Sequence, residues 1–94
     1  MIKVVAKCIV KIKEIENFKK YVAELIVLSR KDEGNISYEL YEDIENPSIL
    51  TFIEEWQDKK VLDQHMSSKH FVDTFTKLNP LQQEQMDINI YKKI

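Results

Sequence analysis

Residues 2 to 13 alternate, with Ile2, Val4, Ala6, Cys8, Val10 and Ile12 on one face and Lys3, Lys7, Lys11 and Lys13 on the other. A period of two is that of a β-strand. Val5 and Ile9 interrupt the lysine face, so the middle of this strand is expected to be covered on both sides. From about Glu14 to Asp32 the period becomes 3.6, with Ile15, Phe18, Tyr21, Val22, Leu25 and Leu28 on one stripe. That spacing predicts an amphipathic helix, begun by acidic Glu14 and Glu16 and closed by the single glycine, Gly34, as a left-handed cap.

Alternation returns over residues 36 to 43, and the proline-containing stretch 44 to 48 separates it from a second run, 49 to 57. Two strands joined by a short loop make a hairpin. In its second strand Leu50, Phe52 and Trp56 share one face and Ile49 and Ile53 the other, which suits a central position in a sheet. Asp58 is placed to cap a helix carrying Val61, Leu62, His65 and Met66 on one side. Ser67 or Ser68 can cap a further piece with Phe71, Val72, Phe75 and Leu78, stopped by Asn79 and Pro80. Met86, Ile88 and Ile90 alternate into a last strand.

Strand, helix, strand, strand, helix, strand is the α+β order of a ferredoxin-like split βαβ with a four-stranded antiparallel sheet. Helices on one face of such a sheet leave the other bare. Val5, Ile9 and their apolar neighbours are too hydrophobic for a solvated face, and a second copy of the chain is the simplest cover, so a homodimer is expected.

At 94 residues the chain is sized for a single domain, residues 1 to 94, with one core. No apolar run approaches the roughly 18 residues of a membrane span, and no secretory signal precedes the first strand, so no membrane partner and a cytoplasmic address are expected. A net charge of −2 lacks the basic face of a nucleic-acid binder. Cys8, the only cysteine, excludes an internal disulfide and a cysteine-based metal cluster, and reads as a small buried hydrophobe. One glycine leaves no phosphate-binding loop.

Three stretches carry a family likeness: Ile2-Lys3-Val4-Val5-Ala6-Lys7; Glu33-Gly34-Asn35-Ile36-Ser37-Tyr38-Glu39-Leu40-Tyr41; and Phe52-Ile53-Glu54-Glu55-Trp56. With Leu62-Asp63-Gln64-His65-Met66 and Ser68-Lys69-His70-Phe71 following in the same order, essentially the whole chain resembles the antibiotic biosynthesis monooxygenase domain family. The resemblance implies a dimeric α+β barrel, two sheets face to face with helices outside, and a pocket between sheet and helices in each subunit. It also implies a range of activities: cofactor-independent oxygenation of quinols and polycyclic phenols, haem degradation, and isomerisation or degradation of small oxygenated signalling molecules, beside members without known activity.

Haem-degrading members place an asparagine in the first strand and a haem-ligating histidine in the helix after the tryptophan. This sequence has Ala6, Lys7 and Cys8 at the first place and Thr74 or Phe75 at the second, so a haem role is not expected.

Cofactor-free oxygenation needs a dry pocket and a base that deprotonates the phenol or quinol, because the electron-rich anion can react with oxygen unaided. Histidine is the natural base near neutral pH. His65 is the candidate catalytic base, with Trp56, Tyr38, Met66, Phe71 and Phe75 as the candidate pocket for a small aromatic substrate. The ordinary alternative is a core histidine bonded to backbone or water.

His70 is expected to hold a turn or lie at the surface. Without a carboxylate motif at metal spacing, the two histidines predict no metal site, and no cofactor is expected. The Trp56 N–H could bond a substrate oxygen. Tyr38 and Tyr41 fall on opposite faces, so at most one sees a given pocket. Glu54 and Glu55 also diverge and are expected in salt bridges to strand lysines at a hairpin edge or dimer contact. The runner-up among enzymes is isomerisation or degradation of a small oxygenated signalling molecule, which would use the same histidine without consuming oxygen. The competing reading from another class is a non-catalytic ligand-binding or stress-associated dimer, favoured by a pocket that is polar, open or filled by Met66 and Phe75.

Overall fold

The computed structural model describes residues 1–94. Its elements run β1 (Ile2–Ile9), α1 (Ile15–Ser29), β2 (Asn35–Glu42), β3 (Ile49–Trp56), α2 (Lys59–Met66), α3 (Lys69–Leu78) and β4 (Asp87–Lys92), with single 3-10 turns at Ile12–Glu14 and Asn79–Leu81. All neighbouring strands are antiparallel, in the order β2-β3-β1-β4. This is the ferredoxin-like arrangement expected from the element order, and β3 is central as its two apolar faces require.

The helix-facing side of the sheet carries the core. Val4, Ala6 and Cys8 of β1 and Leu50, Phe52 and Trp56 of β3 bury against Phe18, Val22 and Leu25 of α1 and Leu62 of α2. Strand parity places Tyr38 inward and fully buried while Tyr41 is half exposed, which separates the two tyrosines.

Some expectations fail locally. β1 ends at Ile9, Val10 forms only an isolated bridge to Gln82, and Ile12 turns outward in the 3-10 turn, so the alternation overran the strand. Val72 is half exposed because α3 lies on the core through Phe75 and Leu78. α1 stops at Ser29 with Arg30 as its cap, four residues before Gly34.

Gly34 has a different duty. Its φ is +79°, and a Cβ there would lie 2.6 Å from Val61 Cγ2. Only glycine suits both the left-handed backbone and this close seat. Its carbonyl accepts from the Gln57 backbone N–H at 2.9 Å, so the loop leaving α1 is held against the start of α2.

The side chains of Asp58 and Ser68 accept from the backbone N–H groups of Val61 and Phe71, capping α2 and α3. The Ser68 hydroxyl also donates to the His65 carbonyl at 2.6 Å, fixing the corner between the helices.

No helix covers the opposite face of the sheet. Val5 pairs with Ile53, and Ile9 with Ile49, and all four are half-buried. Tyr41 and Tyr91 flank them, half exposed. No helix of the chain is long and apolar enough to cross a membrane.

Candidate active site

His65 lies on the face of α2 that contains Val61 one turn earlier, and only 2 % of it is exposed. Aromatic rings enclose it: Trp56 at 4.6 Å between centroids, Phe71 at 5.1 Å and Tyr38 at 5.3 Å. The loop seated by Gly34 brings Asp32 to its other side. His65 Nδ1–H donates to Asp32 Oδ2 at 2.7 Å, and His70 Nε2–H donates to the same oxygen at 2.8 Å.

An ionised carboxylate only accepts, so the carboxylate assigns both tautomers. Neutral His65 then carries its proton on Nδ1 and a lone pair on Nε2, and Nε2 is buried without a hydrogen-bond partner. Burial lowers the imidazole's affinity for a second proton, and Asp32 offsets this only in part, so His65 is neutral at neutral pH.

A cavity of about 20 Å³ opens between helices and sheet, with His65, Met66, Phe71 and Phe75 on one side and β1 and β4 on the other. Apart from His65 and Glu54 every residue lining it is apolar. Phe71 and Phe75 stack at 4.0 Å. The candidate base and three of the five expected pocket residues are therefore brought together.

Trp56 and Tyr38 are not. Both are fully buried, packed behind His65 rather than lining the cavity. The Trp56 N–H, expected to be free for a substrate oxygen, donates to Glu54 Oε1 at 2.9 Å.

Glu54 itself corrects the expectation of an edge or interface salt bridge. It shares the inward face of β3 with Phe52 and Trp56, is 6 % exposed, and contributes a carboxyl to the cavity. Desolvation pushes that carboxyl up to about 7, against the pull of the Trp56 hydrogen bond. Glu55 faces the other way and accepts from the Ser37 hydroxyl at 2.9 Å.

His70, expected at a turn or the surface, instead has a side chain 21 % exposed and bound to Asp32. Cys8 is buried and its thiol is pushed up to about 12 by burial, which leaves it unreactive. Burial, with the Glu54 carboxylate adding to it, likewise drives the Tyr38 phenol far above its ordinary range. The Ser29 hydroxyl opposes this in smaller part.

The strand–helix layering and this pocket define a ferredoxin-like α+β protein with acid–base groups in an apolar cavity. Residues 1–77 match the model of the antibiotic biosynthesis monooxygenase family, and the chain belongs to that family. A conserved protein from Methanosarcina mazei has the same fold at TM-score 0.97 and 43% identity, over 99% of this chain and 92% of its own. The crystal structure of an antibiotic biosynthesis monooxygenase superposes at TM-score 0.95 and 28% identity, over 100% and 99% of the two chains. An uncharacterised Synechocystis protein is 34% identical over 64 residues, which are 68% of this chain and 44% of that protein. This chain thus spans less than half the length of that relative. The family and the structural neighbour support a monooxygenase-like function in general terms.

Proposed function

We propose that the protein is a cofactor-independent monooxygenase that oxidises a quinol or a polycyclic phenol with O2, His65 acting as the base. One observation carries the proposal: Asp32 fixes the proton of His65 on Nδ1, and Nε2 is left as an unpartnered lone pair beside an apolar cavity. A substrate hydroxyl placed there gives its proton to Nε2, and the electron-rich aryloxide passes an electron to O2. The radical pair combines into a ring-carbon peroxide, which takes the proton back, breaks its O–O bond and loses the C–H, so that one oxygen atom stays on the ring as a quinone carbonyl and the other leaves as water. The dry walls leave the aryloxide without stabilising water, which keeps it reactive toward O2, and they exclude water from the oxygenated intermediate. Protonated Glu54, with a pKa near 7, is the second group able to supply a proton at neutral pH.

The cavity as it stands holds little more than a water molecule. An aromatic substrate enters by displacing Met66 and Met86, flexible side chains that line it beside half-exposed Ile88 and Ile90 of edge strand β4. Two copies of the chain pack through the open sheet face around Val5 and Ile53, making the homodimeric barrel.

The test is oxygen uptake by purified protein with a panel of quinols and hydroxylated polycyclic aromatics, corrected for autoxidation and repeated with His65→Ala. Uptake above background that collapses in the variant supports the proposal. The small cavity favours one second reading, a non-catalytic ligand-binding dimer, which is selected by saturable ligand binding with no uptake across the panel.

A further inference from the structure

Asp32, His65 and His70 reach one point from three separate segments: the loop after α1, the body of α2 and the first turn of α3. One ligand atom from each lies within 4.8 Å of the other two. Two imidazoles and a carboxylate are the donor set of zinc and of its first-row neighbours. We propose that this triad is a binding site for a divalent transition-metal cation of the zinc type, and that the bound cation switches the tautomer of His65.

The geometry is close to what such an ion needs. Bonds of about 2.0–2.1 Å in a tetrahedral shell hold ligand atoms about 3.3 Å apart. The two N···O distances, 2.7 and 2.8 Å, are those of hydrogen bonds, so the carboxylate must withdraw by roughly half an ångström. Asp32 can do so because it sits in a turn rather than in a helix or strand, and its side chain is 22 % exposed. The same partial exposure of Asp32 and His70 provides the way in for the ion and room for a water as fourth ligand. His65, buried on its far side by Trp56, Tyr38 and Phe71, gives the site one rigid wall.

A metal on Nδ1 takes the place of the proton there, and a neutral imidazole must then carry its proton on Nε2. Nε2, bare in the metal-free protein, changes from acceptor to donor. His70, binding the metal through Nε2, gives up the proton that it directs at Asp32 from that atom. This second half rests on the reading of His65 as the base: a cation at the triad silences it, while the metal-free protein is the active form.

Zinc titration by calorimetry on the tag-free, chelator-treated protein tests the site without any turnover. The chain has only two histidines, so no other imidazole competes. The expected result is one zinc per chain, weakened by at least about tenfold in His70→Ala and in Asp32→Asn, because each loses one of three protein ligands. His70→Ala changes a partly exposed side chain, and circular dichroism confirms that it is folded. Absence of saturable binding, or binding unchanged in both variants, overturns the site. Long-range proton–nitrogen spectra of the zinc-loaded protein test the switch, which requires a proton on His65 Nε2; a zinc-bound protein with Nε2 still bare overturns it. Oxygen uptake that is absent with and without zinc counts against the oxygenase reading, whereas the calorimetry and the spectra judge the metal site independently.

Discussion

Glu54→Gln should stabilise this protein, and only at high pH. The buried carboxyl moves from its ordinary 4.5 to about 7 because ionisation would place a charge among Val4, Trp56 and the apolar cavity walls. Each tenfold change in proton affinity corresponds to about 1.4 kcal/mol, so the ionised form costs the fold about 3 kcal/mol. Below 4.5 both folded and unfolded chains are protonated and nothing is lost. Between 4.5 and 7 the unfolded chain ionises first, so stability falls as pH rises; above 7 the whole cost is present. Glutamine is neutral throughout and still offers an oxygen to the Trp56 N–H. Urea unfolding of wild type and variant at fixed protein concentration, at pH 4.5 and pH 8, isolates the effect, because the remaining titrating groups cancel in the difference. The variant's advantage should grow by about 3 kcal/mol between the two pH values. An advantage that is the same at both would refute the buried, neutral carboxyl.

Asp32→Asn replaces an obligate acceptor by a group that can also donate, freeing the His65 tautomer; oxygenase activity should fall by about 10²–10⁴-fold, the range of a positioned general base, with folding retained. Gly34→Ala forces a side chain into a left-handed backbone and against Val61, and should lower unfolding free energy by more than about 1 kcal/mol in urea titration. Val5→Glu puts a charge at the centre of the open sheet face. Light scattering on a sizing column should show the dimer mass shifting to that of a monomer, and an unshifted mass would mean that this face is not the interface.

Much of the fold was legible in the chain because strand and helix periods leave separate marks. The two-sided pattern of residues 49 to 56 marked a central strand, and alternation separated Tyr38 from Tyr41. Glu54 was missed although its signal was present: the parity that buries Leu50, Phe52 and Trp56 buries residue 54 as well, and a charge at such a position announces a site. Asp32 left no such mark. It lies 33 residues before His65, in a loop whose seat depends on a glycine fitting against Val61, and that contact exists only in three dimensions. The Ile12 error arose because alternation continued past the strand into a 3-10 turn, where parity no longer assigns a face.

The central claim is that His65 is a neutral base held by Asp32 with Nε2 bare. Long-range proton–nitrogen correlation on the metal-free protein at pH 7 reads this directly. The predicted spectrum shows His65 with its proton on Nδ1 and an unprotonated Nε2, reverting to a mobile mixture of tautomers in Asp32→Asn. A proton on Nε2 in the metal-free wild type, or a fully protonated ring, would contradict the account.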